Sequence, residues 1–263
     1  MDKATETQKT SPLIVENGNW GGVSLSAIHG VVGSAYAVLI EAFEKEPEDI
    51  IHVIPWNQEY PLVVYDRRPY QMYLCARDSY WSQYVYQFSH ELCHILTNFD
   101  RARQHRHKWF EESLCELSSL FVLHRLAETW AVCPPAGVFE AADFAPNHRE
   151  YAESVEAKYS TPFNEDISGW LAENIPTLQT SPEERELSGV VAVALLDCFR
   201  ENPSLWSECG WLNHWDPEGD ETFPDYLDSW SDCLSANGIN NRAPDIAKRL
   251  LCHNNKKESF KTL

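Results

Sequence analysis

The sequence holds no apolar run near the ~18 consecutive residues that a membrane span needs. Its N-terminus has no charged start followed by an apolar middle and a small-residue cleavage site, the pattern of a secretion signal. Both absences lead to the expectation of a cytoplasmic protein that engages no membrane. None of its eight cysteines forms a C-x-x-C pair, so they are expected to be reduced and mostly buried thiols. Basic residues are scarce: 21 stand against 40 acidic ones, a formal net charge of −19. Phosphates would be repelled by that charge, which argues against a general binder of nucleic acid or anionic lipid. Internal repeats and low-complexity blocks are also missing.

What is present suits a large buried core. Of 263 residues 43% are hydrophobic, with 10 Trp, 11 Tyr and 11 Phe. Only residues 1–12, polar and without an apolar run, are expected to form a disordered tail.

The first half mixes periodicities. Residues 23–47 are apolar at helical spacing and stop at Pro47. IIHVIPW (50–56), PLVVYD (61–66) and YQMYLCAR (70–77) are strand-like, the last two separated by the turn-like Arg67-Arg68-Pro69. A helix from Asp78 or Ser79, either able to cap it, to about Thr97 places Trp81, Val85, Phe88, Leu92 and Ile95 on one buried stripe. A second long helix follows over 109–130, with Phe110, Leu114, Leu117 and Phe121 on one side. Cys133-Pro134-Pro135-Ala136-Gly137 marks an expected boundary. Beyond it only helices are expected, over 148–160, 166–175, 181–201, 224–235 and 244–252. Ser181 as cap, Pro182 and Glu184 supply the start signal of the third of these. The expected fold is α+β and two-lobed. Residues 13–133 form a lobe with a small mixed sheet, and 134–263 form a helical lobe.

The chemistry concentrates in QFSHELCHIL (87–96). Residues four apart lie above one another on a helix face, so His90 and His94 can present two imidazoles to one ion. Glu91 points about 100° away. It misses the ion but reaches a water held there, and a zinc ion lowers that water's pKa to ~7. This is the physical content of H-E-x-x-H, and it makes Glu91 the candidate base. A third protein ligand is needed. Asp100, six residues after His94, qualifies if the chain turns back sharply, with Asn98 in the left-handed conformation. Glu112, in the first turn of the next helix, qualifies if the two helices lie side by side. Glu116, four residues on, can then accept a hydrogen bond from the far nitrogen of a histidine.

His90-Glu91-Leu92-Cys93-His94 followed by Trp109-Phe110-Glu111-Glu112-Ser113-Leu114-Cys115-Glu116 resembles the gluzincin metallopeptidases, which include the thermolysin-like and M1-aminopeptidase-like families. The resemblance covers residues 60–131. It implies a zincin-like fold with the active site between lobes and a single Zn²⁺ held by His90, His94 and Glu112. Glu116 would orient a histidine, and the substrate would be a peptide or protein. It also implies that YQMYLCAR is the edge strand that aligns an extended substrate. The sequence departs from the family at Glu111, where Asn is usual. It also lacks the glycine-rich exopeptidase motif, since Gly18-Asn19-Trp20-Gly21-Gly22 does not match it. Such enzymes place a Tyr or His near the developing oxyanion, and Tyr151, Tyr159, His148 and His214 are all candidates.

Other features have simpler expectations. Arg101, Arg103, His105, Arg106, His107 and Lys108 form a basic loop, read as solvated or as a patch for an acidic substrate group. Cys93 and Cys115 are expected to pack where the two helices meet. Trp206, Trp211, Trp215 and Trp230 are expected in core or lobe contacts. The alternative to a zinc hydrolase is a non-catalytic zincin-like scaffold that binds a protein partner in the cleft.

Overall fold

A computed structural model describes residues 12–64, 66–102, 105–160, 167–217 and 219–252, so the expected tail falls almost wholly outside the described residues. Four short strands form one mixed sheet in the order β1 (Leu13–Val15), β2 (Ile51–Pro55), β4 (Tyr70–Leu74), β3 (Leu62–Val64). β1, β2 and β4 run parallel, and β3 pairs antiparallel with β4. Alternation sets the face that meets the core. Val53 lies opposite Met72, which lies opposite Val63, and all three are buried. The mixed sheet matches the α+β expectation, but its edge differs. β4 lies between β2 and β3, so the strand in YQMYLCAR is interior and the edges are β1 and β3. The order of strands along the chain carries no information on which of two paired strands ends a sheet.

Helix α1 (Leu25–Phe43) connects β1 to β2. It is long and apolar enough to cross a membrane by length and composition, and here it buries Val31, Val32, Ala35 and Leu39. α2 (Trp81–Leu96) and α3 (Lys108–Thr129) lie against it at the centre of the molecule. The stripe expected on α2 is buried, but so is almost everything else on that helix: Gln83 alone stays out of the core. A helix enclosed on all sides carries its polar residues into the interior, where each needs a partner. Neither expected cap of α2 is used. Asp78 takes φ 49° and accepts the Gly22 amide at 2.7 Å, so it ties down the N-terminal turn instead.

Beyond residue 133 the described residues form only helices: α4 (Ala141–Tyr159), α5 (Ile167–Thr180), α6 (Arg185–Glu201), α7 (Leu205–Cys209), α8 (Phe223–Ala236) and α9 (Arg242–Leu251). α4 starts earlier than expected, and α7 and β1 were not anticipated. The Ser181 signal also fails. Its carbonyl accepts the Glu184 amide in a separate turn, and α6 begins at Arg185. The buried apolar residues form one cluster that includes both sides of 133–137. Trp206 touches Phe43, Phe121 and Phe199 at ring distances of 5.3, 5.5 and 4.8 Å, which joins α1, α3 and α6 through one side chain.

The 133–137 segment rests directly on α1. A Cβ placed on Gly30 would stand 2.3 Å from the Ala136 carbonyl oxygen, while one on Gly33 of the same helix would meet nothing within 4 Å. Helix propensity alone favours alanine at both by ~1 kcal/mol. Gly33→Ala is therefore expected to raise stability by up to ~1 kcal/mol, and Gly30→Ala to lower it by ~1–3 kcal/mol through overpacking. Urea unfolding of the two variants checks the opposite signs.

Candidate metal centre

The pairing of side chains across α2 and α3 shows that the helices run antiparallel. As α2 advances from His90 to His94, their partners on α3 step back from Glu116 to Glu112 and Glu111. Glu112 sits between the two imidazoles. One of its oxygens is 3.4 Å from His90 Nε2 and the other is 3.4 Å from His94 Nε2. These separations are too long for good hydrogen bonds. Ligands ~2.0–2.1 Å from a tetrahedral ion stand roughly 3.3–3.4 Å from one another, so the spacing fits donors arranged around an ion.

A carboxylate stands behind each imidazole. His94 Nδ1 meets Glu111 at 3.3 Å, and His90 Nδ1 meets Glu116 at 3.6 Å. Glu116 was expected to accept a hydrogen bond from a histidine, and it stands behind His90 at a distance too long for one. Glu111 was noted only as a departure from Asn, yet a carboxylate oxygen accepts from an imidazole N–H as an amide oxygen does. Each of the two is itself held. Glu111 accepts from Lys108 Nζ (2.7 Å), Asn213 Nδ2 (2.7 Å) and Thr97 Oγ1 (3.0 Å). Glu116 accepts the Tyr86 hydroxyl and stands 3.2 Å from Arg185 Nε. Sequence reasoning missed Asn213 and Arg185, since nothing in their local spacing points to the site.

Electrostatics follow from this packing. Burial pushes Glu112 up, but His94 and His90 outweigh it and hold the carboxyl well below its usual range. Burial likewise opposes ionisation of Glu111, and Lys108 and His94 overcome it. Burial disfavours a charged His94, yet Glu112 and Glu111 together raise its pKa well above the ordinary value. Glu91 differs. It is 4% exposed, and burial raises its pKa despite the two histidines. The Val63 backbone N–H faces its carboxylate and offsets part of that rise, which places the outer side of β3 against this helix. His90, Glu91, His94 and Glu112 line a cleft of about 600 Å³, walled by Leu62 of β3 and Arg185 of α6.

Other candidates go elsewhere. Asn98 does take the left-handed conformation at φ 60°, but Asp100 then pairs with Arg68 at 3.2 Å and does not line the cleft. The basic loop is solvated at Arg101 and Arg106, but its other described basic residues turn inward. His105 and His107 pack on Tyr226 at ring distances of 5.3 and 5.1 Å, and Lys108 is buried against Glu111. Arg103 lies outside the described residues. His148 is buried against Trp130, and His214 sits beside Trp211 on the surface. Tyr151 does reach the site, in a small pocket beside His90. Cys93 and Cys115 pack between α2 and α3 as expected, and the Cys93 thiol donates to the Leu114 carbonyl at 3.7 Å. Cys115 also has its sulfur near the histidines, and the ligand atoms of His90, His94 and Cys115 all lie within 4.8 Å of one another. This buried group could hold a metal ion. Burial keeps the Cys115 thiol well above its ordinary pKa. Its side chain is fully enclosed, whereas that of Glu112 is 17% exposed toward the cleft.

The sequence matches no protein-family model and no curated protein.

Removing Glu111 strands the buried ammonium of Lys108. Glu111→Leu is expected to cost ~3–5 kcal/mol of stability, and Glu111→Leu combined with Lys108→Met to recover most of it, because the pair is then replaced rather than broken. Denaturant midpoints of the single and double variants measure both effects.

Proposed function

We propose that this protein is a zinc-dependent hydrolase, most consistent with a peptidase of the gluzincin type, built on a zincin-like cleft. The observation that carries the proposal is the position of Glu112, with one oxygen 3.4 Å from each histidine Nε2 on the floor of the cleft. His90, His94 and Glu112 would hold one Zn²⁺. Cys115 is a poorer third donor than Glu112, because it would have to lose its proton in a fully buried site and would not face the cleft. A bound zinc ion supplies positive charge that acidifies a water to a pKa of ~7 and polarises a carbonyl.

The residues of the chain do the rest. Glu91 opens on the same cleft, and burial has moved its pKa toward the working range of a general base. It takes a proton from the attacking water and returns it to the leaving amine. Glu111 accepts from Nδ1 of His94 and so turns its Nε2 toward the ligand position, while the Glu116 carboxylate stands 3.6 Å behind Nδ1 of His90, close enough to tighten onto it when a metal draws charge from the ring. β3 pairs with β4 on one side only, and its free edge borders the cleft. An extended substrate can add to that edge by backbone pairing, the task first expected of β4.

The protein purified without chelator is expected to carry about one zinc by elemental analysis. Glu112→Ala loses that metal, and Cys115→Ala keeps it. The opposite result would make the thiol the third ligand. Glu91→Gln retains the metal but hydrolyses peptides at least ~10²-fold more slowly.

Zinc binding should also release protons, because the metal-free site holds His94 protonated beyond its ordinary pKa. A ligand nitrogen must be neutral. Affinity therefore falls as pH drops below the raised pKa of His94 and levels off above it. Titration calorimetry in buffers of different ionisation heat, repeated across pH, reads the proton count directly.

A further inference from the structure

The cleft has a side pocket of about 130 Å³ next to His90, bounded by Tyr86, Tyr151, Gln83, Glu59 and Arg185. Lys108 and Arg185 have matching tasks behind the two histidines, but they differ in exposure. The Lys108 side chain is 6% exposed and enclosed by its partners, whereas that of Arg185 is 48% exposed. Arg185 meets Glu116 through Nε alone. Its two terminal nitrogens, with four N–H donors between them, make no hydrogen bond among the described residues. The Tyr151 hydroxyl has no hydrogen bond there either. A planar guanidinium that leaves both terminal nitrogens unengaged presents a ready fork to a carboxylate.

We propose that this pocket recognises a carboxylate of the substrate, held by Arg185 with Tyr151 beside it. The substrate class is then a peptide with an acidic side chain, or a free C-terminal carboxylate, next to the bond that reacts. The pocket also limits the charge it takes. Glu59 on its rim and Glu183 at the mouth of the main cleft are exposed carboxylates that repel a second negative charge. Together with the small volume, they disfavour phosphate dianions and polyacidic stretches. This inference rests on the hydrolase reading for where the substrate lies, but not for the binding chemistry of the pocket.

The test uses the full-length Glu91→Gln protein, titrated calorimetrically with acetylated tetrapeptides in matched pairs: Glu against Gln at each position, and free against amidated C-terminus. One acidic member is expected to bind about 10-fold or more tightly than its neutral twin, the worth of a charge-assisted hydrogen-bonded contact. Arg185→Gln should erase that preference, so that the acidic and neutral members of the pair bind within about 2-fold of each other, and Arg185→Lys should restore part of it. Which pair shows the preference tells side chain from chain terminus. Equal binding of all pairs, no binding, or a preference that survives Arg185→Gln overturns the proposal. The wild-type zinc-loaded protein, assayed on the same peptides, separates the two ideas. An Arg185-dependent preference without any hydrolysis would count against the hydrolase and leave the pocket standing.

Discussion

The structure depends on burying three carboxylates of one helix against two histidines of another. Glu111, Glu112 and Glu116 all project from α3 into the contact with α2, and Glu111 and Glu116 are at most 2% exposed. An unpaired buried carboxylate would cost several kcal/mol, so the surrounding chain has to compensate each one. It does so with two parallel chains of contacts: His94–Glu111–Lys108 and His90–Glu116–Arg185. Glu112, between them, is balanced by the histidines themselves.

That requirement explains features far from the histidines. Asn213 adopts φ 63° and donates to both Glu111 and the Thr97 carbonyl, so a loop between α7 and α8 is clamped to the end of α2. Asn98, also at positive φ, donates to the Gly210 and Leu212 carbonyls, and Lys45 caps the same junction through the Leu96 carbonyl. The C-terminal helices therefore complete the site as well as cover it. Their contact with α2 sets where Glu111 sits, and Glu111 sets how His94 is turned.

Much of this was legible in the sequence, for a physical reason. Residues three or four apart share a helix face, so the pairs His90/His94 and Glu112/Glu116 stand out by local spacing alone. Apolar periodicity located α1, α2, α3 and strands β2, β3 and β4 within a few residues. What could not be read depends on contacts distant in the chain. Lys108 belongs to a run of basic residues and looked solvated, because the carboxylate that buries it is visible only once α3 is wound. The Ser181-Pro182 signal is chemically sound as a cap, but the turn it forms stands ahead of α6. The identity of the edge strand was lost because a hairpin reads the same whichever arm faces outward.

Glu111 is the most informative departure from the pattern the motif resembles. An amide at that position would orient His94 and add no charge. A carboxylate orients it too, but it also raises the pKa of the imidazole and introduces a negative charge that the interior cannot leave alone. The buried Lys108, three residues earlier on the same face, cancels it at 2.7 Å. The substitution and its neighbour therefore form a single unit, neutral as a pair and local in sequence. On the other side of the site the counter-charge to Glu116 comes from Arg185, on a different helix. A counter-charge supplied from the wall of the cleft, with most of its donors still turned outward, can do more than balance a carboxylate. The asymmetry between an enclosed lysine and an open arginine, serving matched roles behind two histidines, gives the cleft one wall with an exposed cation.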